Sequence, residues 1–209
     1  MIPILFHGDD ADSHRRRSFT VCSMSSPLAP PRSSWDNRVL LYVADTSRML
    51  AETYDTIDSF MVHSFCELQE GKFFDVDPYG RPWKRDFSGP IMGDFKAILC
   101  GIKGDQKYLQ RALKLKTSWN SDRVCMYCRA TQSGRNIYTA FGPAAPHRSS
   151  LVSTEEFIES GCHPNPWIRL PGFNLELVLT DWLHLVDLSL TPEVAASESC
   201  LTFCSSCGV

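Results

Sequence analysis

Three groups of residues have the types and spacing that chemistry needs. Asp9 and Asp10 close an apolar run that begins at Ile2, and Asp105 follows a second apolar run through Lys103-Gly104. Carboxylates at the ends of neighbouring strands can converge on two Mg²⁺ or Mn²⁺ ions, which clamp the attacking and leaving oxygens of a phosphoryl transfer. Gly-Asp is also an ordinary turn pair, so the assignment turns on whether the fold sets these segments side by side. Cys125-Met126-Tyr127-Cys128 has the spacing that lets two thiolates grip one tetrahedral Zn²⁺. His147 is the preferred third ligand, and Cys162 or His163 the fourth. Free thiols or a redox pair are the alternatives, but no thioredoxin-like βαβ pattern surrounds the pair, which favours structural zinc. The third group is Asp181-Trp182-Leu183-His184. On a helix, residues three apart share a face, so Asp181 can orient the imidazole or both can bind a metal. His184 equally suits a core position among Trp182, Leu183, Leu185 and Val186.

Local positive charge accompanies the acids. Arg15, Arg16 and Arg17 form one cluster, and Lys107, Arg111 and Lys114 fall on one helical face; both could meet phosphates.

The elements that must position these residues are legible in the hydrophobic pattern. Strands are expected over residues 2–7, 18–24, 38–44 and 95–102. A helix is expected over 52–70, where Tyr54, Ile57, Met61, Phe65 and Leu68 recur at three- and four-residue steps. Thr53 is its expected cap, Asp55 and Asp58 suit its positive end, and Gly71 its end. Shorter helices are expected over 108–115 and 154–160, an extended stretch over 173–179, and a strongly apolar one over 182–190. The α/β chain divides into a core (1–116), an insertion with the zinc loop and the Asp-x-x-His segment (117–196), and an unstructured Ser/Cys tail (197–209).

Bulk properties narrow the classes. Hydrophobic residues at 43% and charged residues at 22% are globular composition, and 209 residues suffice for one core. A net charge of −3 gives no global positive field, so any nucleic-acid contact has to be local. Nine cysteines, an odd number at irregular spacing, do not read as a disulfide framework. With no signal-peptide pattern and no apolar stretch near the roughly 20 residues of a membrane span, an intracellular protein, nuclear or cytoplasmic, is expected.

Three strands, a helix, then a fourth strand, with an acid at the first and fourth strand ends, is the ribonuclease-H-like order. With Cys125/Cys128, Pro146-His147-Arg148 and Asp181/His184 following in sequence, residues 2–192 resemble the catalytic region of DDE/D transposases of eukaryotic cut-and-paste elements, CACTA-like and related zinc-containing groups. The resemblance implies a ribonuclease-H-like mixed sheet with flanking helices and a zinc-containing insertion. It implies metal-dependent cleavage and joining of DNA at transposon ends, and homo-oligomers. Asp9 or Asp10 would hold two Mg²⁺ or Mn²⁺ ions together with Asp105, His184 would lie near the scissile phosphate, and structural zinc would brace the insertion. The family's third acid lies on a helix beyond the Asp-x-x-His segment, where Glu193, just after Pro192, is the main candidate. That helix has little length before the Ser/Cys tail, so a catalytically incomplete fragment is expected, keeping weak DNA binding through Arg15, Arg16 and Arg17. The rival readings are a dimetal phosphoesterase and a non-catalytic, zinc-stabilised interaction module.

Overall fold

Strand β1 (Ile2–Ser13) runs well past its apolar half, because its polar half also pairs with β2 (Arg17–Ser25). Their antiparallel ladder extends from Leu5–Ser25 to Ser13–Arg17. This computed structural model describes residues 1–13, 17–30, 33–83, 90, 91, 93, 95–118, 120–160 and 165–181. A four-residue helix α1 (Ser34–Asn37) leads into β3 (Arg38–Asp45), which pairs antiparallel with β2. Helix α2 (Ala51–Glu70) then carries the chain over the sheet to β4 (Ala97–Gly104), which lies parallel to β1. After α3 (Gln106–Ala112) and α4 (Thr154–Glu159), the three-residue β5 (Val178–Thr180) joins parallel to β4. The result is a mixed α/β fold around a five-stranded mixed sheet of order β3-β2-β1-β4-β5. No helix among the described residues is long and apolar enough to cross a membrane.

The expected α2 forms with altered ends. Leu50 is its N-cap, and Thr53, three residues on, accepts the Leu50 N–H at 3.2 Å instead of capping the helix itself. Gly71 closes it in the left-handed conformation (φ 73°), which glycine adopts without a Cβ penalty, with its N–H on the Glu67 carbonyl at 2.9 Å. The apolar stripe delivers Phe65, 2% exposed, to the core. There Phe6 of β1 meets it edge to face at 5.2 Å and meets Trp167 at 4.9 Å. Truncating such a buried aromatic costs about 3–5 kcal/mol.

Other boundaries shift for local reasons. Helix α3 starts two residues earlier than the periodicity indicates because Asp105 caps it, and it ends at Ala112, before Lys114 at φ 52°. In place of a fully extended 173–179, Asn174 caps a 3-10 turn (Leu175–Leu177), which leads into β5. The described part of the 117–196 region is not set apart from the core. Its β5 is an edge of the same sheet, and its Met126, Phe157, Trp167, Leu170 and Leu175 share one buried cluster with Phe6 and Phe65. The 182–190 stretch and the 197–209 tail lie outside the described residues.

Candidate functional site

Parallel pairing of β1, β4 and β5 sends all three strands out at one edge of the sheet. Gly8 pairs with Gly104, and Gly104 with Thr180. Asp10, Asp105 and Asp181 follow those positions within two residues, and the Asp181 N–H donates to the Gly104 carbonyl at 3.0 Å. The topology thus brings Asp10, which lies inside β1 opposite Thr20 rather than at its expected end, to the side of the sheet where β4 and β5 end, but the acids' partners differ from those of a shared metal site.

Asp10 lies on the Gly8 face of β1, and Asp9 alternates to the other face. The Asp10 side chain is only 6% exposed. Its Oδ1 accepts the Thr20 hydroxyl at 2.8 Å and Nη1 of Arg111 at 3.0 Å. Its Oδ2 accepts the same Nη1 at 3.1 Å and lies 3.4 Å from Nζ of Lys107. Burial by itself raises the carboxyl pKa, but the Thr20 bond and the two cations outweigh it and hold Asp10 below its ordinary value. The Asp9 carboxylate accepts the Asp10 N–H at 2.8 Å. Asp105 accepts the Tyr108 N–H at 2.7 Å as the cap of α3. Buried Asp181 is ion-paired with Lys103 at 2.8 Å. Lys103 alternates with Gly104 along β4, so this pair belongs to the sheet face opposite the one that carries Asp10. Among the described residues, no three or more His, Cys, Asp or Glu side chains are placed to hold a metal ion. The described acids therefore do not fit a pair of divalent cations. His184 and Glu193 lie outside the described residues.

The expected phosphate-binding cations of the Lys107–Lys114 stretch are engaged within the protein. Arg111 is tied to Asp10, and its guanidinium lies over the rings of Tyr54 at 4.3 Å and Tyr108 at 5.4 Å. Lys107, 70% exposed, also reaches toward Asp10, and Lys114 is paired with Asp55 at 2.5 Å. Arg17 opens β2 opposite Ser13; Arg15 and Arg16 lie outside the described residues.

Beneath the Asp10–Arg111 pair lies a buried polar cluster that sequence reasoning missed. The Cys22 thiol is 3.8 Å from the Tyr108 hydroxyl, and burial pushes it up to about 11. Burial also raises Tyr42 and Tyr108. Asp58, 5% exposed on α2, is pushed up to about 7 by burial, although Trp167 and Arg111 beside it pull the other way. Asp58 carried a signal of its own: an acid in the same helix turns as the apolar stripe is set against the core.

The cysteine pair sits in a tight hairpin, closed by the Val124 N–H on the Ala130 carbonyl at 3.1 Å. Burial raises the Cys128 thiol, the Ala130 backbone partly offsets this, and adjacent Cys125 raises it further. Between the cysteines, Tyr127 donates its hydroxyl to the Val178 carbonyl and so ties the loop to β5. Cys128 bridges Leu151, and the Arg129 N–H reaches the Ser150 carbonyl at 3.0 Å, which brings the Pro146–Ser149 turn to the hairpin. Nδ1 of His147 is buried with no hydrogen-bond partner in the protein. Paired thiols and an orphaned imidazole nitrogen are zinc-ligand chemistry, yet His147 does not join Cys125 and Cys128 in a three-ligand group. Cys162 and His163 lie outside the described residues.

No protein-family model, no curated protein and no solved structure matches this chain.

Proposed function

We propose that this chain derives from the ribonuclease-H-like catalytic region of a DDE/D transposase and acts as a zinc-braced DNA-binding module that does not cleave strands. The observation that carries the proposal is the parallel pairing of β1 with β4. It brings Asp10 of the first strand toward the C-terminal end of the fourth, which supports the resemblance. The Cys125/Cys128 hairpin, fastened to β5 through Tyr127, supports the bracing role of the insertion. The absence of cleavage follows from the partners of the acids. Two-metal phosphoryl transfer needs carboxylate oxygens open to both ions, and those of Asp10 are occupied by Arg111, Thr20 and Lys107. DNA contact falls to the arginines between β1 and β2, and the module works in the nucleus or cytoplasm, where thiols stay reduced.

The test is nicking of supercoiled DNA by the purified chain with Mg²⁺ or Mn²⁺, alongside duplex binding at low salt. We expect binding without nicking. Nicking that disappears in Asp105→Asn would establish an active nuclease, and a chain that neither binds nor nicks DNA would remove the basis for the proposal.

A further inference from the structure

We infer that Arg111 is the resident counter-ion of Asp10, so that the β1 acid holds a guanidinium where the transposase reading places a divalent cation. The inference rests on that reading for the expectation of a metal, and on geometry for its replacement. An ionised carboxylate offers about four acceptor sites on its two oxygens. Oδ1 of Asp10 receives Thr20 at 2.8 Å and Arg111 at 3.0 Å; Oδ2 receives Arg111 at 3.1 Å and faces Lys107 at 3.4 Å. Thr20, the shared Arg111 Nη1 and the facing ammonium thus crowd both oxygens, and inner-sphere coordination would have to displace one of them.

The cation is also held from behind. Arg111 cannot shed its proton under protein conditions, and the rings of Tyr54 and Tyr108 lie 4.3 and 5.4 Å from its guanidinium carbon. Tyr108 is itself packed against Gly8 and Gly104, which seats α3, and Arg111 with it, on this part of the sheet. A metal ion at Asp10 would have to expel a guanidinium that is only 21% exposed and leave it beside buried Asp58 alone. The other strand-end acids offer no shared site, since Asp105 caps α3 and Asp181 pairs with Lys103.

Mn²⁺ is the probe. The full chain, Asp10→Asn, Arg111→Met and the double variant are titrated with Mn²⁺, following loss of the free-ion electron paramagnetic resonance signal and the thermal unfolding midpoint. We expect wild type and Asp10→Asn to take up equally little Mn²⁺, and Asp10→Asn to start from a lower midpoint that Mn²⁺, as in wild type, does not raise. Arg111→Met should show a lower midpoint that Mn²⁺ raises, and the double variant should lose that rise. Mn²⁺ uptake by the wild-type chain that disappears in Asp10→Asn would overturn the inference, as would an Arg111→Met variant that folds and ignores Mn²⁺. If Arg111→Met does not fold, the comparison of wild type with Asp10→Asn decides alone. Uptake through Asp10 without DNA nicking overturns this inference and leaves the DNA-binding proposal standing. Loss of DNA binding with equally little Mn²⁺ uptake does the reverse.

Discussion

The ring of Tyr108 lies against Gly8 so closely that a Cβ there would come within 1.9 Å of the ring's Cζ, and a Cβ at Gly104 would come within 2.5 Å of Cδ1. Two glycines on adjacent strands thus form a trough that seats α3 on the sheet. Arg111, three residues along the same helix face from Tyr108, is thereby aimed at Asp10.

Gly8→Ala should accordingly cost more than a surface change does. The added methyl meets a buried ring whose hydroxyl is held near Cys22, and overpacking of this kind costs about 1–3 kcal/mol or more. Gly142→Ala is the control, since nothing lies within 4 Å of its Cβ position and its backbone is unstrained; it should stay within about 0.5 kcal/mol of wild type. Urea denaturation of both variants measures the difference. Equal midpoints would mean that the trough does not constrain the helix.

Asp58 predicts an unusual pH dependence. Its folded pKa of about 7 lies above the ordinary 3.8, so between those values the folded state binds more protons than the unfolded chain. Stability from this group is therefore greatest near pH 4, falls as pH rises to about 7, and is flat above. The full effect is on the order of 4 kcal/mol. Asp10 works in the other direction: its lowered pKa contributes stability that is lost on acidification below the ordinary carboxylate range. Asp58→Asn should flatten the decline between pH 4.5 and 7.5 and leave the acid limb intact. Parallel curves for wild type and variant would show that Asp58 titrates normally.

What the sequence disclosed, and what it hid, follows from the range of each interaction. Strands β1, β2 and β3 were visible because alternation and continuous apolar runs are local patterns. The start of α3 is also within reach, since Asp105 before Gln106-Lys107-Tyr108 is an N-cap signal as much as a strand-end acid. Strand β5 is three residues long, too short for periodicity to register. The ion pair of Asp10 with Arg111 joins residues 101 apart, and no local pattern encodes it. Asn165 is similar. It is fully buried, donates to the Ala112 carbonyl and caps the turn that delivers Trp167. Asn-Pro is a turn signal, but no local pattern encodes what the turn anchors.

Zinc is tested by metal analysis of the reduced, unmodified chain. We expect about one zinc per chain, since a site built on two thiolates couples binding to folding. Cys125→Ser should remove the metal and loosen the hairpin, seen as faster proteolysis within residues 120–151 while the sheet persists. Tyr127→Phe separates bracing from binding. It keeps both cysteines and the metal but deletes the bond to Val178, lowering stability by about 1 kcal/mol. Reduced protein with no zinc would sink the assignment, and zinc retained in Cys125→Ser would move it elsewhere.

DNA affinity is expected to reside in the arginines between β1 and β2. If affinity comes from Arg15, Arg16 and Arg17, it is electrostatic, indifferent to sequence and steeply dependent on salt. Each neutralised phosphate contributes about 0.9 to the slope of log K against log salt. Replacing all three arginines with alanine should reduce that slope by up to about 2.7 and weaken binding equally to unrelated duplexes. Lys107→Ala should change it little, because that ammonium already lies 3.4 Å from the Asp10 carboxylate. Fluorescence anisotropy over a salt series at fixed pH reads these slopes. An unchanged slope in the triple variant would place the contact elsewhere on the chain. A large drop in Lys107→Ala would show that Lys107 leaves Asp10 for phosphate and that the α3 face meets DNA. Because the chain carries a net charge of −3, binding through such a local patch should vanish as salt screens it, and binding that survived high salt would point to contacts other than these arginines.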